Sequence, residues 1–590
     1  MNPIFQVYNT PYGAYPFELI KEEHYRDAFR EAIAEKRAEI KSIIENEEEP
    51  SFENTILALE RAGAKMELVS GIFYNLLHAH SNDELMAISE ELVPELSQLS
   101  TDILFSEPLF KRIKVVYDKR EDLGLDEEEL RLLVNCYEGF AENGANLDAE
   151  HKARLEALSM ELSQATLLYG QNNLKDQKRY KLYVSCSEDV EGLPNSLLHL
   201  SSERAKQEGY SEGWLFDLTA PSYFPFMQHC RNRELRRQMY VAKMGVGAAG
   251  DEFDNRALIR QIVNGRLEEA QILGYPTFAH YALHKRMAKT PDAVYKLLDQ
   301  LQDAYRPKAD EELKEITAFA KQEGFNDEMM PWDWAFWSEQ YKQKFYNLED
   351  ELFRPYFALD NVISAVFNLA TTLYGLKFVE RTDIPVYHSD VKAFEVKDED
   401  DSYLGLLYTD FFPRDGKRSG AWMSNFQEQY HDANGVDHRP HIVLVMNFTP
   451  PTGDKPALLT AGEVHTFLHE FGHAMHGMLS KVRFGSLSGT GVARDFVELP
   501  SQIMENWLAQ REWLMSFAKH YETGEAIPEK LLERSKKARH FLAGYSCLRQ
   551  LSFGYLDMAW HSIEAPLDES LDVKRYEDNA WRKAMVLPDA

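Results

Sequence analysis

The sequence predicts a mainly α-helical protein with one small β-sheet. Long stretches at both ends space their apolar residues three and four apart, with few glycines or prolines between them, which is the signature of amphipathic helix. A single central region, 391–448, instead alternates apolar and polar residues or runs apolar for the length of a strand. The composition is that of a packed globular protein, 44% hydrophobic and 27% charged over 590 residues. That excludes a disordered tail protein, a collagen and a small disulfide scaffold.

The elements follow in order. Phe17–Glu45 is one long amphipathic pattern, and Ser51–Leu77 repeats it with Phe52, Ile56, Leu57 and Leu59 as its apolar stripe. Ser51, Glu53 and Asn54 give that second stretch a polar helix start. Arg120–Leu174 continues as helix, and no fixed-period repeat indicates a solenoid. Tyr180–Phe226 carries Gly192, Pro194, Gly209, Gly213 and Pro221 and reads as short strands and loops. Arg231–Leu273 and Pro291–Glu323 return to helix, followed by core aromatics at Trp332, Trp334 and Trp337. Val391–Val396 and Tyr403–Tyr408 alternate around an acidic turn. His441–Phe448 is a buried-strand run after the Asn434-Gly435 turn signal. From Thr460 the chain is helical almost to its end.

Composition also narrows the partners. A net charge of −31 repels phosphate backbones, so nucleic-acid binding is not expected. No run of about 18 apolar residues exists to span a membrane. Cys136, Cys186, Cys230 and Cys547 form no C-x-x-C pair, which argues against a thiolate metal site or redox motif. Met1–Ala14 has no Lys or Arg and no apolar core, so it is not a signal peptide. A cytoplasmic protein is expected, or a periplasmic one if a leader has been removed.

The chemistry concentrates in His469-Glu470-Phe471-Gly472-His473. Residues four apart share a helix face, so His469 and His473 can aim two imidazoles at one ion. Glu470 can reach a water held by that ion without binding the ion itself, as zinc hydrolysis requires. Thr460-Ala461-Gly462-Glu463 reads as a capping box that starts this helix. His465 and His469 form a rival pair at the same spacing, but only His469/His473 has a glutamate directly after its first histidine. His465 and His476 are therefore read as packing groups or as partners of the ligands. A third ligand is available in Asp495–Glu505, where Glu498 and Glu505 are seven apart on one helix face. The Ser486–Gly491 turn lets that helix fold back on the first. Spacing alone leaves the choice between the two glutamates open.

HEFGHAMH and DFVELPSQIMENW resemble the thimet oligopeptidase and bacterial peptidyl-dipeptidase family of HExxH zinc metallopeptidases. The stretches 332–357, DFFPRDGKRSGAW (410–422), HIVLVMNF (441–448) and GYSCLRQLSFGYLDMAWH (544–561) are similar to it as well. The opening NPIFQVYNTPYGAYPFELIKEEHYRDAF resembles the bacterial branch. The resemblance implies one zinc ion held by His469, His473 and Glu498, Glu470 as the catalytic base, and Glu505 orienting a ligand histidine. It implies two helical domains flanking a deep substrate channel, with the small sheet beside the zinc helix. Residues 1–150 with 240–345 are expected to form a helical cap domain, and 151–239 with 346–590 the catalytic zinc domain. The expected activity is release of C-terminal dipeptides from short peptides by a monomer, with internal cleavage as the alternative.

Two further expectations concern the substrate. The strand His441–Phe448 is offered for pairing with an extended peptide, against an interior strand with no free edge. Arg414, Lys417 and Arg418 are offered for binding its terminal carboxylate, against the commoner reading of solvated loop charges. The family's glycine- and tyrosine-rich loop has no match before Pro588-Asp589-Ala590, so a zinc- and peptide-binding chain with impaired catalysis is kept as another reading.

Overall fold

The computed structural model describes residues 2–6, 8–346, 352–451 and 455–588. Positions 347–351, inside one of the family-like stretches, and the terminal Asp589 and Ala590 lie outside the described residues. The chain divides into two compact units, Met1–Asn146 with Glu349–Leu532, and Leu147–Leu348 with Glu533–Ala590.

The first unit is built on a five-stranded sheet. Its strands are β1 (Lys377–Glu380), β2 (Lys392–Lys397), β3 (Tyr403–Asp410), β4 (Trp422–Gln427) and β5 (His441–Val445). They lie in the order β1-β2-β3-β5-β4, antiparallel except for the parallel β3–β5 pair. Helices α1 (Glu23–Ile44) and α2 (Ala64–Ala79) cover one face, where Phe29, Val69 and Phe73 share a core with Tyr408, Phe426 and Val443. Helix α3 (Ala461–Met478) lies on the sheet's other side, with Phe471 against Phe378 and Phe467 against Phe411. A sheet covered on both faces has no solvent side. β3 and β5 are accordingly buried almost throughout, rather than half-buried as the alternation in Tyr403–Tyr408 suggests.

The helix expected over Ser51–Leu77 is broken. A capped π-turn (Phe52–Leu57) and a short helix (Ala58–Arg61) precede α2, with Gly63 in left-handed backbone between them. A second small helix of the site, α4 (Glu498–Glu505), belongs to this unit.

The second unit is helical apart from a two-stranded ribbon, 182–184 with 214–216. Helix Pro291–Gln322 packs along Ala543–His561 through Leu298, Ala309, Leu548 and Leu551. Trp334 is buried, and beside it Asp333 pairs with Arg236 at 2.9 Å, both out of solvent. The region 180–226 also contains two helices, Asn195–Gln207 and Ala220–His229, that close a core around Phe216 and Phe226.

This grouping corrects the expected domain pairing. Residues 1–146 go with the sheet rather than with 240–345, because α1 and α2 supply one of its apolar faces. Residues 240–345 go with 533–590 because the Pro291–Gln322 helix needs the Ala543–His561 helix to bury its stripe. Among the described residues no helix is long and apolar enough to cross a membrane.

Candidate metal centre

The capping box at the start of α3 forms in full. The Thr460 hydroxyl accepts from the Glu463 N–H at 3.0 Å, and the Glu463 carboxylate accepts from the N–H groups of Thr460 and Thr449, each at 2.7 Å. That fixes where the helix begins and hence its register. Val464, Leu468, Phe471 and Met475 are buried, leaving His469 and His473 a turn apart on another face with ring centres 5.0 Å apart. Gly472, between them, lets α4 in. A Cβ there would lie 2.5 Å from the Pro500 carbonyl oxygen and 2.6 Å from Ser501 Cα, so only glycine allows this approach.

The close approach places Glu498 over the histidine pair. Its Oε2 lies 3.3 Å from His469 Nε2 and 3.2 Å from His473 Nε2, and the three donor groups fall within 4.8 Å of one another. Ligands on a tetrahedral zinc ion at about 2.0–2.2 Å stand roughly 3.3 Å apart, so these residues fit that ion. The Ser501 hydroxyl donates to Glu498 Oε2 at 2.7 Å. This bond, aided by the two histidines against partial burial, holds the carboxyl below its ordinary value. Burial holds the His473 imidazole low as well, which keeps it neutral and able to donate a lone pair.

Glu505, two turns along α4, lies behind the pair. Its Oε1 is 2.7 Å from His469 Nδ1 and its Oε2 is 3.2 Å from His465 Nε2. An acceptor at Nδ1 places the proton there and leaves Nε2 free for an ion. Geometry thus separates the two glutamates that sequence spacing left equivalent, since Glu498 faces both Nε2 atoms and Glu505 faces an Nδ1. His476 packs edge-on against Phe496, with ring centres 6.2 Å apart.

Glu470 is only 8% exposed. Burial pushes its carboxyl up, with His469 opposing, Glu498 adding to the rise and the Met423 backbone opposing. A raised glutamate is suited to taking up and releasing a proton near neutral pH.

The first expectation about the substrate needs correction, and so does the second for Arg414 and Lys417. His441–Phe448 supplies β5, which pairs with β3 on one side and β4 on the other, so it has no free edge. The edge strand beside Glu470 is β4, which sequence reasoning missed because strand order is not written in local pattern. Arg414 and Lys417 are already committed to Asp410, at 2.6 and 2.8 Å. Ser501 and Gly472 were also missed, although a small residue between two ligand histidines signals a close helix contact.

Sites of this kind define the HExxH metallohydrolases. This chain belongs to one family of them: residues 226–589 match Peptidase family M3. It is 38% identical over 565 residues to the dipeptidyl carboxypeptidase of Escherichia coli (strain K12), covering 96% of this chain and 82% of that protein. It is 34% identical over 569 residues to oligopeptidase A of Salmonella typhimurium, covering 95% and 82%. A solved structure titled "PZ peptidase A with inhibitor 2" aligns with 95% of this chain and 80% of its own at a TM-score of 0.48 and 14% identity.

Proposed function

We propose that this metallopeptidase is zinc-dependent and releases C-terminal dipeptides from short peptides. The observation that carries the reading is the convergence of His469 Nε2, His473 Nε2 and Glu498 Oε2, with the buried Glu470 beside them. His469, His473 and Glu498 would hold the ion. A zinc ion bound there polarises the scissile carbonyl and lowers the pKa of a coordinated water. Glu470 takes the attacking water's proton and hands it to the leaving amine. Glu505 keeps His469 in the tautomer that presents Nε2.

The edge of β4 orients the peptide. Along a strand, backbone groups alternate in direction. The Asn425 carbonyl points off the sheet to Asn75 Nδ2 of α2, 2.8 Å away, and Met423, two residues earlier on the strand, faces the same way beside Glu470. Met423 at the start of this edge therefore offers an extended substrate a point of pairing beside the catalytic carboxylate. The relative named dipeptidyl carboxypeptidase supports removal of dipeptides, and the one named oligopeptidase A supports internal cleavage as the second reading.

Mass spectrometry of products from one nine-residue peptide tests this, with Glu470→Gln run beside the zinc-loaded protein. The expected result is stepwise loss of C-terminal dipeptides, slowed about 10²- to 10⁴-fold in Glu470→Gln with zinc content unchanged. Internal fragments appearing first would replace the dipeptidase reading with the oligopeptidase one. An intact peptide with zinc bound would overturn both.

A further inference from the structure

We propose that Arg418 reads the C-terminal carboxylate of the peptide and so sets the cut two residues in. This rests on the peptidase reading above and names the group that gives it its register. The loop between β3 and β4 carries three cations, and two are closed off. The Lys417 side chain is fully buried on Asp410, and Arg414 is bound to Asp410 and to the Ala79 carbonyl. Arg418 is exposed, and among the described residues no carboxylate pairs with its guanidinium. That is notable in a chain where Asp and Glu number 96 against 65 Lys and Arg.

Its backbone, by contrast, is held on both sides. The Arg418 N–H donates to the His78 carbonyl at 2.8 Å, and Asn447 Nδ2 donates to the carbonyls of Arg418 and Gly420 at 2.9 and 2.7 Å. The loop is seated against Ser81, since a Cβ on Gly416 (φ +78°) would lie 2.1 Å from the Ser81 carbonyl oxygen. A fixed Cα carrying an uncommitted guanidinium is preorganised for an anion. The nearby His78 imidazole is held neutral by burial and by Arg418, so it brings no competing charge.

The position along the edge matches a dipeptide. The far end of β4 is occupied, with the Asn425 carbonyl taken by Asn75 and the Phe426 carbonyl by the Tyr15 hydroxyl at 3.1 Å. A peptide beside Glu470 is therefore left the start of the strand at Trp422 and Met423, with the bend at Ser419–Gly420 (Gly420 φ +99°) and Arg418 just before it. Arg418 and Met423 are five positions apart, at most about 17 Å if extended, and the bend shortens that distance. Two substrate residues in extended form cover roughly 7 Å of it, and the long arginine side chain reaches across the remainder. Its planar fork suits a carboxylate bidentately.

The test compares the wild type, Arg418→Gln and Arg418→Lys on one peptide made with a free C-terminus and with a C-terminal amide. Arg418→Gln is expected to lower kcat/KM for the free acid roughly 10- to 100-fold, mostly through KM, the range for losing one charge-assisted bidentate pair. The amide should be cleaved at an unchanged, slow rate, and Arg418→Lys should recover part of the loss. The same ratio should appear in Kd values measured calorimetrically in a zinc-loaded Glu470→Gln background. Equal losses on both peptides, or none on either, would overturn the role of Arg418. A wild type that binds zinc and cleaves neither peptide would overturn the peptidase reading instead, and the Kd comparison would still decide Arg418.

Discussion

Two charged clusters in the same unit differ in how their valences are used. Asp410 at the end of β3 is wholly buried, and its carboxylate accepts from the Tyr387 hydroxyl, both Arg414 Nη atoms and Lys417 Nζ at 2.6–2.8 Å. Every acceptor direction is filled by a donor. At the α3–α4 crossing the lone pairs face one another instead. Two imidazole nitrogens and a carboxylate oxygen meet at 3.2–3.3 Å, with Glu498 half exposed. The Ser501 hydroxyl donates to that oxygen from one side, and acceptors still gathered around an open centre describe a cation site, whereas acceptors all matched to donors describe a structural tie. Each cluster holds a carboxylate, and what separates them is what faces it: cationic and hydroxyl donors at Asp410, two imidazoles at Glu498.

The comparison can be broken at its structural end first. Asp410→Asn leaves Lys417 and Arg414 facing a neutral group in a buried site, and removing one partner of such a cluster costs about 3–5 kcal/mol. Denaturant unfolding should show that loss, while the folded fraction should keep stoichiometric metal. Metal content that fell with the substitution would mean that the two clusters are not independent.

At the other end, Glu505→Gln should leave folding intact and weaken zinc affinity about 10- to 100-fold, the usual cost of removing the group that orients a ligand histidine. Competition with a chelator measures it. Unchanged affinity would show that the 2.7 Å contact with His469 Nδ1 does no orienting.

Glu428 falls between the two extremes. Burial pushes its carboxyl up to about 7, with Asn425 opposing, Glu67 adding to the rise and Ser488 opposing. An acid held above its unfolded value stabilises the fold while protonated. Stability should therefore fall as pH rises from about 4.5 to 7 and level off above that, by at most about 1.4 kcal/mol per pH unit. Glu67, itself raised by burial, acts with the same sign. Glu428→Gln should flatten this part of the profile, which paired unfolding curves at pH 5 and 7.5 would reveal. A wild-type slope that persists in the variant would place the titration elsewhere.

Several features are legible in the sequence alone, and each is local in the chain. The α3 capping box depends on Thr460 and Glu463, three residues apart. The histidine pair depends on a four-residue interval, and the apolar run at 441–448 on its own composition. A helix or strand turns such intervals into a shared face by its geometry alone. The broken stretch at 51–77 escaped because a stripe can persist through a π-turn and a left-handed glycine without changing its spacing.

Tertiary structure decided what depends on partners far along the chain. It separated Glu498 from Glu505, which share a helix face, by the direction from which α3 meets them across Gly472. It made β4 an edge and β5 an interior strand, since strand order follows from which apolar faces must be covered rather than from either strand's residues. It spent Arg414 and Lys417 on Asp410 and left Arg418 uncommitted within one short loop. It also joined the first 146 residues to the sheet. Periodicity is written residue by residue, but burial and charge pairing are settled only when distant segments compete for the same surface, and that competition has no local signature.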